Sequence, residues 1–127
     1  MYRKVLVETE IRSGERLLDQ LDLAKIPVTA AFWLYADDAA EWRLVIVSPS
    51  VETLGPRQLY ALLGVILMSP SGAQISIPLE RIFLLSPHDN RYQQVRMAAL
   101  GAGAGLLVTS GPARNVSGED AYIYRVA

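Results

Sequence analysis

Along the first part of the chain apolar residues recur at a helical interval, then give way to β-rich runs. Val7, Ile11, Leu18 and Leu21 fall on one face at near-heptad spacing with Gly14 between them, while Glu8, Arg12, Glu15, Arg16, Asp19 and Asp22 cover the rest. This predicts a helix ending near Lys25 or Ile26, since the residue before Pro27 is biased away from helical geometry. Residues 28–35 and 42–48 are rich in β-branched and aromatic side chains and are joined by a short polar link, the pattern of a β-hairpin. In the second of these strands Trp42, Leu44 and Ile46 share one face and Arg43, Val45 and Val47 the other. Both faces are apolar beyond Arg43, so the sheet is expected to be covered on both sides.

Gly55-Pro56 opens a second helix with proline where its missing N–H costs nothing. Its broad apolar face of Leu59, Leu62, Leu63, Ile66 and Leu67 makes it the candidate for the central packed helix, and Pro70 follows its end. Residues 75–77 and 81–86 read as extended, with 78–81 as one alternative helical turn. Ser86-Pro87 then resembles a cap and first residue of a third helix, with Asp89 in the first turn, Tyr92, Val95 and Ala99 along it, and Gly101 closing it. Residues 106–110 and 121–126 read as strands, with turn chemistry at Ser117-Gly118 before the last. The order α-β-β-α-β-α-β-β predicts one α+β domain over 1–127 with a mixed, mostly antiparallel sheet. Strand order does not follow from these signals.

Composition removes several classes of function. The chain has 127 residues, 51% apolar and 20% charged, which is too apolar for disorder and sufficient for one core. The longest apolar runs, 61–68 and 98–108, fall short of the roughly 18 to 20 residues of a membrane span. The start does not fit a secretory signal, because Glu8, Glu10 and Arg12 follow the first apolar residues, so the expected compartment is the cytoplasm. With no cysteine, thiolate metal sites and cysteine nucleophiles are excluded, and one histidine, His88, excludes a multi-histidine centre. No cofactor is implied. The net charge is −1 and the arginines are spread along the chain, which argues against a nucleic-acid surface unless the fold gathers them; such a surface would bind with steep salt dependence.

Four constellations carry candidate chemistry. Asp37, Asp38 and Glu41 in the hairpin link could share a divalent cation, and Glu41-Trp42-Arg43 loosely matches the acidic-x-basic element of metal-dependent nucleases. Arginine replaces the usual lysine there, and acids at a hairpin tip are far more often simply solvated turn residues. Ser86, His88 and Asp89 include members of a hydrolase triad, although adjacent positions at a helix start diverge and no G-x-S-x-G elbow is present. The glycines of 101–105 follow a helix and precede a strand, the reverse of a dinucleotide loop, and Asn115-Val116-Ser117 reads as a turn. In the last strand Asp120, Tyr122 and Tyr124 alternate with Glu119, Ala121, Ile123 and Arg125, which places a tyrosine-acid row outside the core or beneath a helix. Tyrosine and arginine favour protein interfaces; the competing reading is an edge strand whose tyrosines simply pack.

The segments Ala30-Ala31-Phe32-Trp33-Leu34-Tyr35, Trp42-Arg43-Leu44-Val45-Ile46-Val47-Ser48-Pro49, Gly55-Pro56-Arg57, Leu85-Ser86-Pro87 and Glu119-Asp120-Ala121-Tyr122-Ile123-Tyr124-Arg125 together resemble a family of small bacterial proteins. The resemblance covers most of the chain from about Leu17 onward. It implies a compact bacterial domain and carries no catalytic residue across. One histidine, no cysteine, no phosphate loop and a row of tyrosines on the last strand make the leading expectation a non-catalytic protein-binding or regulatory domain, acting on a protein partner or by self-association as a homodimer. Its candidate contacts are Tyr122, Tyr124, Arg125, Asp120 and Arg57. The alternative is a metal-dependent phosphodiester hydrolase with Asp37, Asp38 and Glu41 as ligands and Arg43 or Arg57 on the phosphate.

Overall fold

Two carboxylates in the first turn, Glu8 and Glu10, suit the positive end of α1 (Glu8–Leu23), whose buried face is Ser13, Gly14, Leu17, Leu18 and Leu21. The structure, a computed structural model, describes residues 8–36, 40–70, 75–102, 112–116 and 119–125. Lys25 stops α1 by adopting φ 61°, while the Lys25 and Ile26 amides donate back to the carbonyls of Asp22 and Leu21, both at 3.0 Å. That is a Schellman ending with lysine where glycine is usual. It places the end of the helix two residues before Lys25, ahead of any effect of Pro27.

The hairpin forms as expected. β1 (Ala30–Ala36) and β2 (Glu41–Val47) pair antiparallel, with Ala30 opposite Val47 and Ala36 opposite Glu41. A single turn, α2 (Ser50–Thr53), follows and was not legible in the pattern. Gly55, at φ 87°, then leads into α3 (Pro56–Met68) with proline in its first turn. Helix α3 is the crossover that lets β3 (Ile82–Leu85) lie parallel to β2, after a 3-10 turn over Leu79–Arg81.

Helix α4 (Asn90–Ala102) begins later than Ser86-Pro87 suggests. Its cap is Asp89, whose Oδ1 accepts the Arg91 amide at 2.8 Å; Ser86 Oγ instead accepts the His88 amide in the preceding turn. The helix runs through Gly101, which does not close it.

β4 (Pro112–Val116) and β5 (Glu119–Arg125) complete a five-stranded sheet of order β3-β2-β1-β5-β4. It is a mixed sheet in an α+β fold, antiparallel except for the β2–β3 pair. The strand expected over 106–110 and the turn at Ser117-Gly118 lie outside the described residues. β5 is an inner strand, which overturns the edge-strand reading.

The alternation of β2 carries through to packing. Trp42, Leu44 and Ile46, with Ala31, Trp33 and Tyr35, face Leu17, Leu18 and Leu21 of α1 and Leu63 of α3. Val45 and Val47, with Ala30, Phe32 and Ile123, face Tyr92 and Val95 of α4. Helix α3 shares its side of the sheet with α1 and buries only Leu59 and Leu63 fully, so it is an outer helix rather than the central one. Among the described residues no helix is long and apolar enough to cross a membrane, and no buried side-chain nitrogen or oxygen lacks a hydrogen-bond partner.

Candidate interaction surface

Of the two positions expected for the tyrosine row, Tyr124 takes the one beneath a helix. Its hydroxyl donates to the Ile11 carbonyl of α1 at 2.6 Å and accepts the indole N–H of Trp33 at 2.8 Å. At 6% exposure it is not available to a partner, which corrects its assignment as a contact residue. Burial is also the main reason its phenol is pushed above the usual tyrosine range. Tyr122 packs edge-on against Tyr124, 5.5 Å between ring centres, and is half-buried on the same core.

Arg125 departs from simple alternation. Phe32 pairs with Ile123 but Ala31 pairs with Arg125, so Tyr124 is the extra residue of a β-bulge. The bulge turns Arg125 to the α1 side, where its guanidinium meets the Asp22 carboxylate at 3.1 and 3.3 Å. The expected grouping of Arg125 with Ile123 is thereby reversed. The side chain of Asp120 lies outside the described residues. Arg57 is exposed in the first turn of α3.

The hydrolytic constellations do not assemble among the described residues. Glu41 is engaged by Arg43 Nε at 3.2 Å, and the Arg43 guanidinium lies 4.7 Å above the Phe83 ring; Asp37 and Asp38 are outside the described residues. No group of three or more potential metal ligands is present among those described. Ser86 and His88 do come together, but through Glu52 of α2, a residue the sequence reading missed because it lies 34 positions upstream of Ser86. The Glu52 carboxylate accepts Ser86 Oγ at 2.5 Å and contacts His88 Nδ1 at 2.9 Å. A hydrolytic triad needs the imidazole between acid and hydroxyl; here the acid stands between them, at the surface. The hydrogen bond from Ser86, followed by that with His88, holds the Glu52 carboxyl below the usual range. Asp89 is bound by Arg91 at 2.9 Å, which lowers its carboxyl in the same way.

What the fold leaves open is apolar. Between Gln58 and Met68 helix α3 carries no charged residue, yet only one side of it meets the sheet. Leu59, Leu63, Ile66 and Leu67 point inward, and Ala61, Leu62, Val65 and Met68 are exposed, Val65 at 67% and Met68 at 89%. Leu54, in the turn before α3, is exposed as well. A surface helix ordinarily places polar residues opposite its buried stripe; one that is apolar all round is ordinarily buried. The expected broad face of α3 included Leu62, which the structure turns outward. The signal for the outer face was present in the absence of any charge over these residues, but was absorbed into the expectation of a central helix. Arg57 is the one predicted contact residue that belongs to this helix.

No protein-family model, no curated protein and no solved structure matches the chain. The family resemblance of its strand segments therefore adds nothing to what these residues carry.

Proposed function

We propose that the protein is a non-catalytic binding module that docks a protein surface on the outer face of α3. The observation that carries this reading is the uncharged stripe Ala61, Leu62, Val65 and Met68, exposed on a helix whose opposite side already serves the core. A contiguous apolar patch costs solubility and invites aggregation, and association removes it from water at roughly 25 cal/mol per Å². The reading keeps the protein-binding expectation and moves its location from β5 to α3. Among the described residues the hydrolase alternative has no comparable support, Glu41 being held by Arg43.

A photo-crosslinking residue placed at Val65 in cells that make the protein tests it. A covalent adduct with a polypeptide is expected at position 65, lost when Met68→Glu is added, and absent when the crosslinker sits at the exposed Gln94 of α4. Equal labelling at positions 65 and 94, or none at 65, contradicts the proposal.

A further inference from the structure

Resting on that reading, we infer that the occupant of the α3 face is a second copy of this chain, its α3 antiparallel to the first across a two-fold axis. Three features of the helix point to this arrangement.

The first is spacing. Gln58, Ala61, Val65 and Met68 recur at intervals of three, four and three, the narrow seam by which one helix packs along another. The seam is symmetric about position 63, with Gln58 and Met68 five residues to either side and Ala61 and Val65 two. A two-fold axis at that level sets Ala61 against the partner's Val65 and Gln58 against the partner's Met68. The small Ala61 thereby meets the larger Val65, and the methylenes of Gln58 lie along Met68 with the amide left at the rim. Self-complementarity of this kind is what an isologous interface requires.

Close approach is the second feature. Gly64 is half-buried at the same level, and a Cβ added there would meet nothing within 4 Å. The helix surface beside the axis therefore lacks a side chain that would hold two backbones apart.

Charge is the third. Helix α3 has no acidic residue in its first turn and no basic residue in its last, while the cation Arg57 sits at the end that disfavours it. Antiparallel pairing brings Arg57 beside the carbonyl end of the partner helix, around the partner's Ser69. The misplaced charge then becomes favourable, and two-fold symmetry makes the contact twice. A parallel pair would instead set the two Arg57 cations side by side.

A helix of 13 residues offers a face about 20 Å long. With a width of about 10 Å, that is roughly 200 Å² before Leu54 and Leu62 widen it, well under the ~800 Å² per partner of a stable complex. The dimer is accordingly weak and concentration-dependent. Salt screens its Arg57 contacts.

The chain has no cysteine, so single-cysteine variants report geometry directly. Gln58→Cys and Met68→Cys chains are oxidised separately and as a mixture at several hundred micromolar. Antiparallel pairing forms the mixed disulfide and neither homodisulfide, because like positions are then separated by ten residues of rise, about 15 Å, beyond disulfide reach. Homodisulfides in the separate samples, or no crosslink in the mixture, overturn the inference. An adduct at Val65 whose mass is not twice that of the chain would also overturn it while leaving the docking reading standing. Arg57→Gln supplies a second readout. It is expected to weaken self-association about 3- to 30-fold while leaving the monomer as stable as before or slightly more so. Unchanged association in Arg57→Gln counts against the antiparallel orientation.

Discussion

Gly14 and Tyr124 occupy one site between them. A Cβ on Gly14 would lie 2.7 Å from Tyr124 Cζ, inside the contact distance of two carbons, and the ring cannot retreat while its hydroxyl is held by Ile11 and Trp33. Gly14→Ala, favourable for an isolated helix, is therefore expected to lower stability by about 1–3 kcal/mol through overpacking, read from the urea midpoint. An unchanged midpoint would show that α1 moves freely over β5. Glu52 gives a pH-dependent counterpart. Its carboxyl is lowered in the folded chain by Ser86 and His88, so the stability it contributes is present above the unfolded value near 4.5 and lost as pH falls through the lower folded value. Glu52→Gln should separate from the parent in denaturation midpoint at pH 7 and converge with it as pH falls below the lowered folded value. A separation that does not narrow as the solution is acidified would assign the effect to packing.

At the scale of elements, regular periodicity was legible and exceptions to it were not. Helix α1, the hairpin and the covered faces of β2 follow from apolar spacing, because burial on a given face selects the same side chains at every turn or alternate residue. The bulge at Tyr124 inserts one residue into β5 and inverts the parity beyond it, which no alternation rule contains. Ser86 and Asp89 are both good capping residues, and the sequence does not say which of them caps α4; in the fold Asp89 does, while Ser86 Oγ accepts the His88 amide in the turn before and donates to Glu52. Edge protection of β3 is similarly non-local. The outward carbonyl of Ile82 and amide of Leu84 are met by the Tyr60 hydroxyl of α3 at 2.8 and 3.2 Å, in place of a neighbouring strand. Tyr60→Phe removes both bonds and is expected to cost about 0.5–1.5 kcal/mol, measured by chemical denaturation, with faster amide exchange at Leu84. Unaltered exchange there would mean the edge is shielded by other means.

For the whole molecule, the sheet is covered on both faces, and among the described residues the exposed large apolar side chains cluster on a helix that reads as core in the sequence, with Leu23 of α1 and Met97 of α4 exposed singly. Helical periodicity identifies one buried stripe; whether the opposite stripe meets the same core or faces outward depends on how many helices share that side of the sheet. Here α1 and α3 share it, and α3 retains an uncharged outer face. We propose that this face is a contact surface. Light scattering after size exclusion, from about 10 µM to several hundred micromolar, tests it most directly for the self-paired form. The mass should rise with concentration toward twice 14.0 kDa, and Val65→Glu should hold it at the single-chain value with an unchanged circular-dichroism spectrum. A parent protein that stays at one chain's mass throughout, or a Val65→Glu variant that associates as the parent does, would contradict it.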